Sequence, residues 1–263
     1  MKFLLSSNKK IYFASDLHLI IAPNELSRRR EQGFIQWLDT IKTDAAAVFL
    51  LGDIFDFWFE YRHTVPRGFV RLLGKLAELT DSGISIHFFK GNHDQWVRDY
   101  LTSEMNITVH HKPAELEING KLFLIGHGHD VSLKTLHDHF LHFMFDNRFF
   151  RMLFASLNPR WGIPFGKNWS INHRNRNKLV KPFTELDEEL IYKYAKKTLL
   201  KKHYDFFVFG HRHLAMDIAL SENSRYINTG EWVEAQSYAV FDGENIELYS
   251  AKGKMEFMRI SEP

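Results

Sequence analysis

A chain of 263 residues, 44% apolar and 15% aromatic, can bury a sizeable core and is not a disordered tail. Its formal net charge of +2 is too small to argue for nucleic acid, and with no cysteine there is no disulfide, thiolate metal site or cysteine nucleophile. Met1 to Asn8 hold too short an apolar run for a signal peptide, and no window has the roughly 18 apolar residues of a spanning helix. The expectation is a cytoplasmic protein that touches at most a membrane surface.

Ile11-Tyr-Phe-Ala14 reads as a first strand, delivering Asp16 and His18 just beyond its end. Asn24 can cap a helix in which Phe34, Trp37, Leu38 and Ile41 recur at helical spacing. Ala45 to Leu51 is apolar on both faces, as a central parallel strand requires, and it ends at Gly52-Asp53-Ile-Phe-Asp56. A second helix is expected with Pro66 in its first turn and Phe69, Leu72, Leu76 and Leu79 inward. Ile84 to Phe89 is the next strand, broken by Gly91 and followed by Asn92, His93 and Asp94. This β-α-β-α-β order predicts an α/β fold with a mostly parallel sheet, whose chemistry collects beyond the strand ends.

After Ile107 to His110 the rhythm changes. Glu115 to Ile125 is a hairpin turning at Asn119-Gly120, and it leads to His127. Asp205 to Phe209 ends at Gly210-His211-Arg-His213, and Tyr238 to Tyr249 is a hairpin turning at Asp242-Gly243. Between the last two ligand-bearing strands lies an insertion over residues 131–202. Leu136 to Leu157 is helical in spacing but apolar almost all round, with Phe143 and Phe150 among its aromatics. Arg148 to Thr184 contains eight basic residues and no acidic one, and a last helix from Glu185 to Lys202 returns the chain to the sheet. One domain over 1–263 is expected, with 131–202 as its insertion.

Asp16, His18, Asp53, Asn92, His127, His211 and His213 are oxygen and imidazole donors, each at or just past a predicted strand end. Seven donors exceed one tetrahedral site and suit two divalent ions sharing a carboxylate. Such a pair, about 3.5–4 Å apart, clamps a phosphate and stabilises in-line displacement. Carboxylate, amide and imidazole without sulfur favour Mn²⁺, Fe²⁺ or Zn²⁺ over Ca²⁺. Singly, a histidine at a strand end is more often a surface or core residue. Five such motifs in order, each closing an apolar strand, make a specific signal.

Those motifs resemble the signature of the calcineurin-like metallophosphoesterases. The resemblance implies a β-sandwich flanked by helices, in α/β/β/α layers. It implies that Asp16, His18, Asp53 and His213 hold one metal and that Asp53, Asn92, His127 and His211 hold the other, with Asp53 bridging. His93 would act at the scissile phosphate as proton donor or electrostatic stabiliser, oriented by Asp56 or Asp94. Leu51-Gly-Asp-Ile-Phe-Asp-Phe-Trp58 and the basic, apolar insertion further resemble one branch, the UDP-2,3-diacylglucosamine diphosphatases of lipid A synthesis. That branch implies hydrolysis of the substrate's pyrophosphate to UMP and diacylglucosamine 1-phosphate with two divalent ions, usually Mn²⁺. It also implies a helical lid and a place on the cytoplasmic face of the inner membrane, with no nucleic acid and no protein partner evident. Arg174, Asn175 and Lys178 match its substrate-contacting segment, and Phe143 and Phe150 would line an acyl groove.

Two residues depart from the branch. His93 stands where its members carry Arg, and His129 stands where many carry an acid. Both bear on the substrate more than on the metal centre. The alternatives are a paralogous phosphodiesterase or nuclease, which would want a broad basic groove with stacking aromatics, and a non-catalytic scaffold, which would have lost ligands.

Overall fold

The computed structural model describes residues 2–21, 24–132, 136–177, 189–253 and 257–260. Two sheets pack face to face. One has β1 (Lys2–Phe3) beside β6 (Ala114–Ile118), β7 (Lys121–Ile125), β8 (Phe206–Phe209), β10 (Ser224–Thr229), β9 (Ala215–Ser221) and β13 (Met258–Ile260), in that order. The other runs β12 (Ile246–Ser250), β11 (Ser237–Phe241), β2 (Lys10–Ala14), β3 (Ala45–Leu50), β4 (Ser85–Phe89) and β5 (Thr108–His110). β2 to β5 are parallel, as their uninterrupted apolar runs predict. Phe13, Phe49, Phe123, Phe206 and Phe241 fill the space between the sheets.

Helices cover the outer faces. Phe34, Trp37 and Leu38 of α1 (Glu25–Ile41) and Leu72, Leu76 and Leu79 of α2 (Val70–Asp81) pack on the parallel strands. Ile191, Tyr192 and Ala195 of α7 (Leu190–Leu199) cover the far sheet against Phe207, Phe209 and Tyr226. The order of layers is therefore α/β/β/α, as the resemblance implies.

Asn24 caps α1 as expected, its side chain accepting from Ser27 N at 2.9 Å. Asn119 (φ 49°) and Gly120 (φ 81°) form the primed turn between β6 and β7. Pro66, in contrast, is not in a helix. α2 begins at Val70 after a left-handed Phe69, and its amide at Leu72 is met by Glu31 Oε1 of α1. A tertiary carboxylate does the capping, so no local signal marks this helix start.

The expected helix from Leu136 to Leu157 is two helices, α4 (Leu136–Asp146) and α5 (Arg148–Ala155). Asn147 separates them by accepting from Phe149 N, which starts a new helix. α6 (Pro159–Asn177) follows. The last helix starts at Leu190, capped by Glu189, and 178–188 lie outside the described residues. α3 (Tyr100–Met105), β1, β9, β10 and β13 were not anticipated. The β9–β10 turn at Glu222-Asn223 carries no glycine, and Asp217 interrupts an otherwise apolar run. Asp217 is buried because Arg225 opposes it with a two-pronged bond at 3.0 and 2.7 Å.

Candidate metal centre

The loops beyond β2, β3, β4, β7 and β8 meet at one rim of the sandwich. Close backbone approach makes this possible. A Cβ on Gly91 would fall 2.1 Å from Asp53 Oδ1, and one on Gly52, itself at φ 87°, would fall 2.7 Å from Gly91 N. Side chains at either position would drive the two loops apart. Asp16, His18, Asp53, His211 and His213 all have left-handed backbones, with φ between 48° and 69°. Strain of this kind costs on the order of 1 kcal/mol or more per residue and persists where function holds it.

Among the described residues three clusters of donors result: Asp16 with His18 and His213, His18 with Asp56 and His93, and Asp16 with Asp53 and His127. The hydrogen bonds fix which nitrogen of each ring faces inward. His127 Nδ1 lies 2.6 Å from Leu51 O, and a carbonyl can only accept, so Nδ1 carries the proton. On the neutral ring the lone pair on Nε2 then faces Asp53 Oδ2 at 3.5 Å and Asn92 Oδ1 at 3.3 Å, both acceptors. His18 Nδ1 donates to Asp56 Oδ1 at 2.9 Å, which turns Nε2 toward His213 Nε2 at 3.2 Å and Asp16 Oδ1 at 3.7 Å. Lone pairs pointed at lone pairs in a buried site are what a cation satisfies, so the residues fit a divalent metal. Asp16 Oδ1, fully buried and 3.1 Å from His213 Nε2 without a well-formed hydrogen bond to it, adds to this.

Asp53 spans the clusters. Its Oδ1 accepts from His93 N at 2.9 Å, while Oδ2 stands 3.8 Å from His18 Nε2 and 3.5 Å from His127 Nε2. His211 belongs to the site through its backbone, donating to Asp16 Oδ2 at 2.9 Å, and its ring is 5.0 Å from that of His127. His129 is set back, its ring 5.4 Å from that of His127.

Electrostatics follow from burial against this charge. Burial would lower His18 and His127, yet Asp16, Asp56 and Asp53 push His18 up to about 10, and Asp53 and Asp16 push His127 up to about 9. Burial would raise Asp16 and Asp53, but the surrounding histidines hold both well below the usual carboxylate range. His211, half-buried beside His127, is lowered to about 3 by desolvation and the neighbouring histidine charge. Raised histidines lose their protons only as the pH climbs toward those values, and a ligand must be neutral. Divalent metal should therefore bind more tightly as pH rises toward about 9, where His127 gives up its proton, and about 10, where His18 does, releasing protons on binding below those values. Calorimetric titration in buffers of different ionisation enthalpy reads that release; a binding heat independent of buffer would contradict it.

His93 is 8% exposed, its ring 5.0 Å from that of His18 and at 89° to it. Asp56 uses its carboxylate on His18 and meets His93 Nδ1 through its backbone carbonyl, at 3.1 Å. Asp94 is turned the other way, its carboxylate accepting the amides of Gly91 at 2.7 Å and Ile54 at 2.8 Å. It ties the two ligand loops together, and burial beside Asp53 raises it to about 7.

Ser170 of α6 is the partner that sequence reasoning missed. Its Oγ is 2.6 Å from His93 Nδ1 and also donates to Asp56 O, and the residue is 1% exposed. A signal for it existed. Gly162, Gly166 and Ser170 form a stripe at four-residue spacing, and a Cβ on the glycines would strike Tyr61 Oη and the Phe57 ring at 2.2 Å. That stripe lets α6 lie flush on the loop after β3. Ser170→Ala should lower kcat about tenfold, the worth of one hydrogen bond to a polar ring, with little change in KM. In a His93→Gln background the same change should have no further effect; an additive loss would exclude action through His93.

Among the predicted substrate contacts, Phe143 is exposed and its ring lies 6.4 Å from that of Phe150, edge to face. Arg174 and Asn175 fall in the last turns of α6, and Lys178 lies outside the described residues. The insertion bears on the centre's own loop: Trp96 Nε1 donates to Phe145 O at 2.9 Å, and Phe154 packs 4.8 Å from Trp96. No helix among the described residues is long and apolar enough to cross a membrane.

The chain is similar to known proteins over most of its length. The model of the calcineurin-like phosphoesterase family matches residues 9–215. The UDP-2,3-diacylglucosamine hydrolase of Porphyromonas gingivalis is 39% identical over 255 residues, covering 92% of this chain and 97% of that protein. The hydrolase of the same name from Shewanella piezotolerans is 26% identical, covering 90% and 95%. Among solved structures, a dimetal phosphatase from Danio rerio aligns with a TM-score of 0.46 at 13% identity, over 94% of this chain and 97% of that one.

Proposed function

The chain belongs to the calcineurin-like phosphoesterase family, and on that premise we propose that it hydrolyses the pyrophosphate of UDP-2,3-diacylglucosamine. Water is added across the bond to give UMP and 2,3-diacylglucosamine 1-phosphate. The observation that carries this reading is the extent of the Porphyromonas relative, which is 39% identical over 92% of this chain and 97% of its own length.

Two divalent ions, Mn²⁺ foremost and Fe²⁺ or Zn²⁺ otherwise, would be held by Asp16, His18, Asp53 and His213 and by Asp53, Asn92, His127 and His211. Bound there, they would neutralise phosphate charge and supply an activated nucleophile. The chain's own groups do the rest. Asp56 keeps His18 in the tautomer that presents Nε2, as the carbonyl of Leu51 does for His127. His93, its Nδ1 proton committed to Asp56 O and Ser170 Oγ, keeps Nε2 for the phosphate and serves the departing oxygen as proton donor or charge stabiliser. Asp94 holds the Asp53 and Asn92 loops in register.

The insertion of residues 131–202 acts as a lid, with Phe143 and Phe150 against the acyl chains and Arg174, Asn175 and Lys178 toward the headgroup. The enzyme works on the cytoplasmic face of the inner membrane. Mn²⁺-dependent release of UMP from UDP-2,3-diacylglucosamine, with UDP-N-acetylglucosamine as the unacylated control, tests the reading. Release from the acylated substrate alone is expected, and release from neither, with a simple phosphodiester cleaved, would transfer the protein to another substrate. Phe143→Ser with Phe150→Ser should cut turnover of the acylated substrate by about 10²-fold, from the lost burial of two aromatic contacts, and leave a short phosphodiester nearly unchanged. Equal losses on both would contradict the acyl-groove role.

A further inference from the structure

Away from the metal-ligand candidates, four arginines converge on one open cavity of about 930 Å³. Arg62 comes from the loop after β3, Arg98 from the loop before α3, and Arg148 and Arg151 from successive turns of α5, with Glu60 and Met152 also in the wall. None of the four guanidinium groups has a hydrogen bond or ion pair among the described residues. Glu60 does not neutralise them in kind, because its carboxylate accepts from Trp58 Nε1 and from the amides of residues 98, 99 and 100. Like charges held together without partners carry a repulsion that an anion would relieve, and guanidinium forks match phosphate oxygens.

The helix that supplies two of these arginines also exposes apolar side chains. Phe149, Met152 and Leu153 of the same helix are 66%, 62% and 57% exposed. A cationic pocket opening beside exposed aromatic and aliphatic side chains has the chemistry of a helix lying in a lipid interface. We propose that Arg62, Arg98, Arg148 and Arg151 form a binding site for the phosphate of an anionic phospholipid headgroup, seating α5 on the membrane surface. The proposal rests on the lipid-linked reading only for the presence of such a surface. It adds a second phosphate site, separate from the reaction centre.

The test is partition of the purified protein into vesicles of phosphatidylcholine alone and of phosphatidylcholine with phosphatidylglycerol, without substrate. Binding only to the anionic vesicles is expected. Arg148→Gln with Arg151→Gln should weaken it about 30-fold, while cleavage of bis(p-nitrophenyl) phosphate stays unchanged. Arg62→Gln with Arg98→Gln removes charge from the other wall without touching α5, and the same loss is expected should the first pair disturb the helix. Equal partition of all three proteins, or binding without preference for the anionic lipid, overturns the site. Inorganic phosphate bound in an arginine-dependent way by a protein that ignores vesicles would make it a free-phosphate site and overturn the lipid assignment. Arginine-dependent self-association without vesicle binding would make the face an interface between copies and would equally overturn that assignment. UMP release is read separately, so either result can fail alone.

Discussion

Asp53→Ala should abolish hydrolysis, with turnover falling at least about 10³-fold, because in the proposed two-metal arrangement it removes a shared ligand and forfeits several kcal/mol of charge stabilisation. Oδ2 stands within 3.8 Å of both His18 Nε2 and His127 Nε2, and Oδ1 anchors the amide of His93. The loss should therefore be double, with metal content reduced and the His93 loop released. Elemental analysis of the purified variant separates these consequences from unfolding, which circular dichroism monitors. Turnover within tenfold of the parent, with metal retained, would remove Asp53 from the bridging position.

His93→Gln is the second large effect. Glutamine keeps a donor near Asp56 O and Ser170 Oγ but has no ring nitrogen to hold or transfer a proton. A positioned acid contributes about 10²–10⁴-fold, so kcat should drop by that range while the metal stays bound. A substrate with a leaving group that needs no protonation discriminates between the roles. With a p-nitrophenyl phosphodiester the loss should shrink if His93 donates a proton, and should persist if it only stabilises charge. A variant as active as the parent on both substrates would exclude either role.

The same residues show why the site was partly legible. A metal ligand at a strand end has a local signature: an apolar run, a glycine and a donor. Asp16, Asp53, Asn92, His127 and His211 could each be found from a few neighbouring residues. The tautomers could not, since they depend on Leu51 O and Asp56 Oδ1, brought to their rings by the parallel pairing of β2 with β3 and the packing of the two sheets. Asp94 departs from expectation for a related reason. Its position beside His93 in sequence suggests a catalytic partner, but backbone amides exposed by the tight Gly52-Asp53 turn compete for its carboxylate and win.

By itself the sequence determined the alternation of the first strands and helices and the candidate donors at their ends, while the layer order came with the family resemblance. The alternation and the donors depend on hydrophobic period and on turn chemistry read within about ten residues. Only the tertiary structure decided the start of α2, capped by Glu31 of another helix, the break at Asn147 inside an apolar run, and the seating of Ser170 on His93. It also decided the four-arginine cavity, whose members lie in three separate segments. In each of these but the Asn147 break, the deciding partner is distant in sequence, and only packing of a hydrophobic face brings it near. At Asn147 the cap itself is local, yet an apolar pattern continuing on both sides conceals it until the two helices are seen to part.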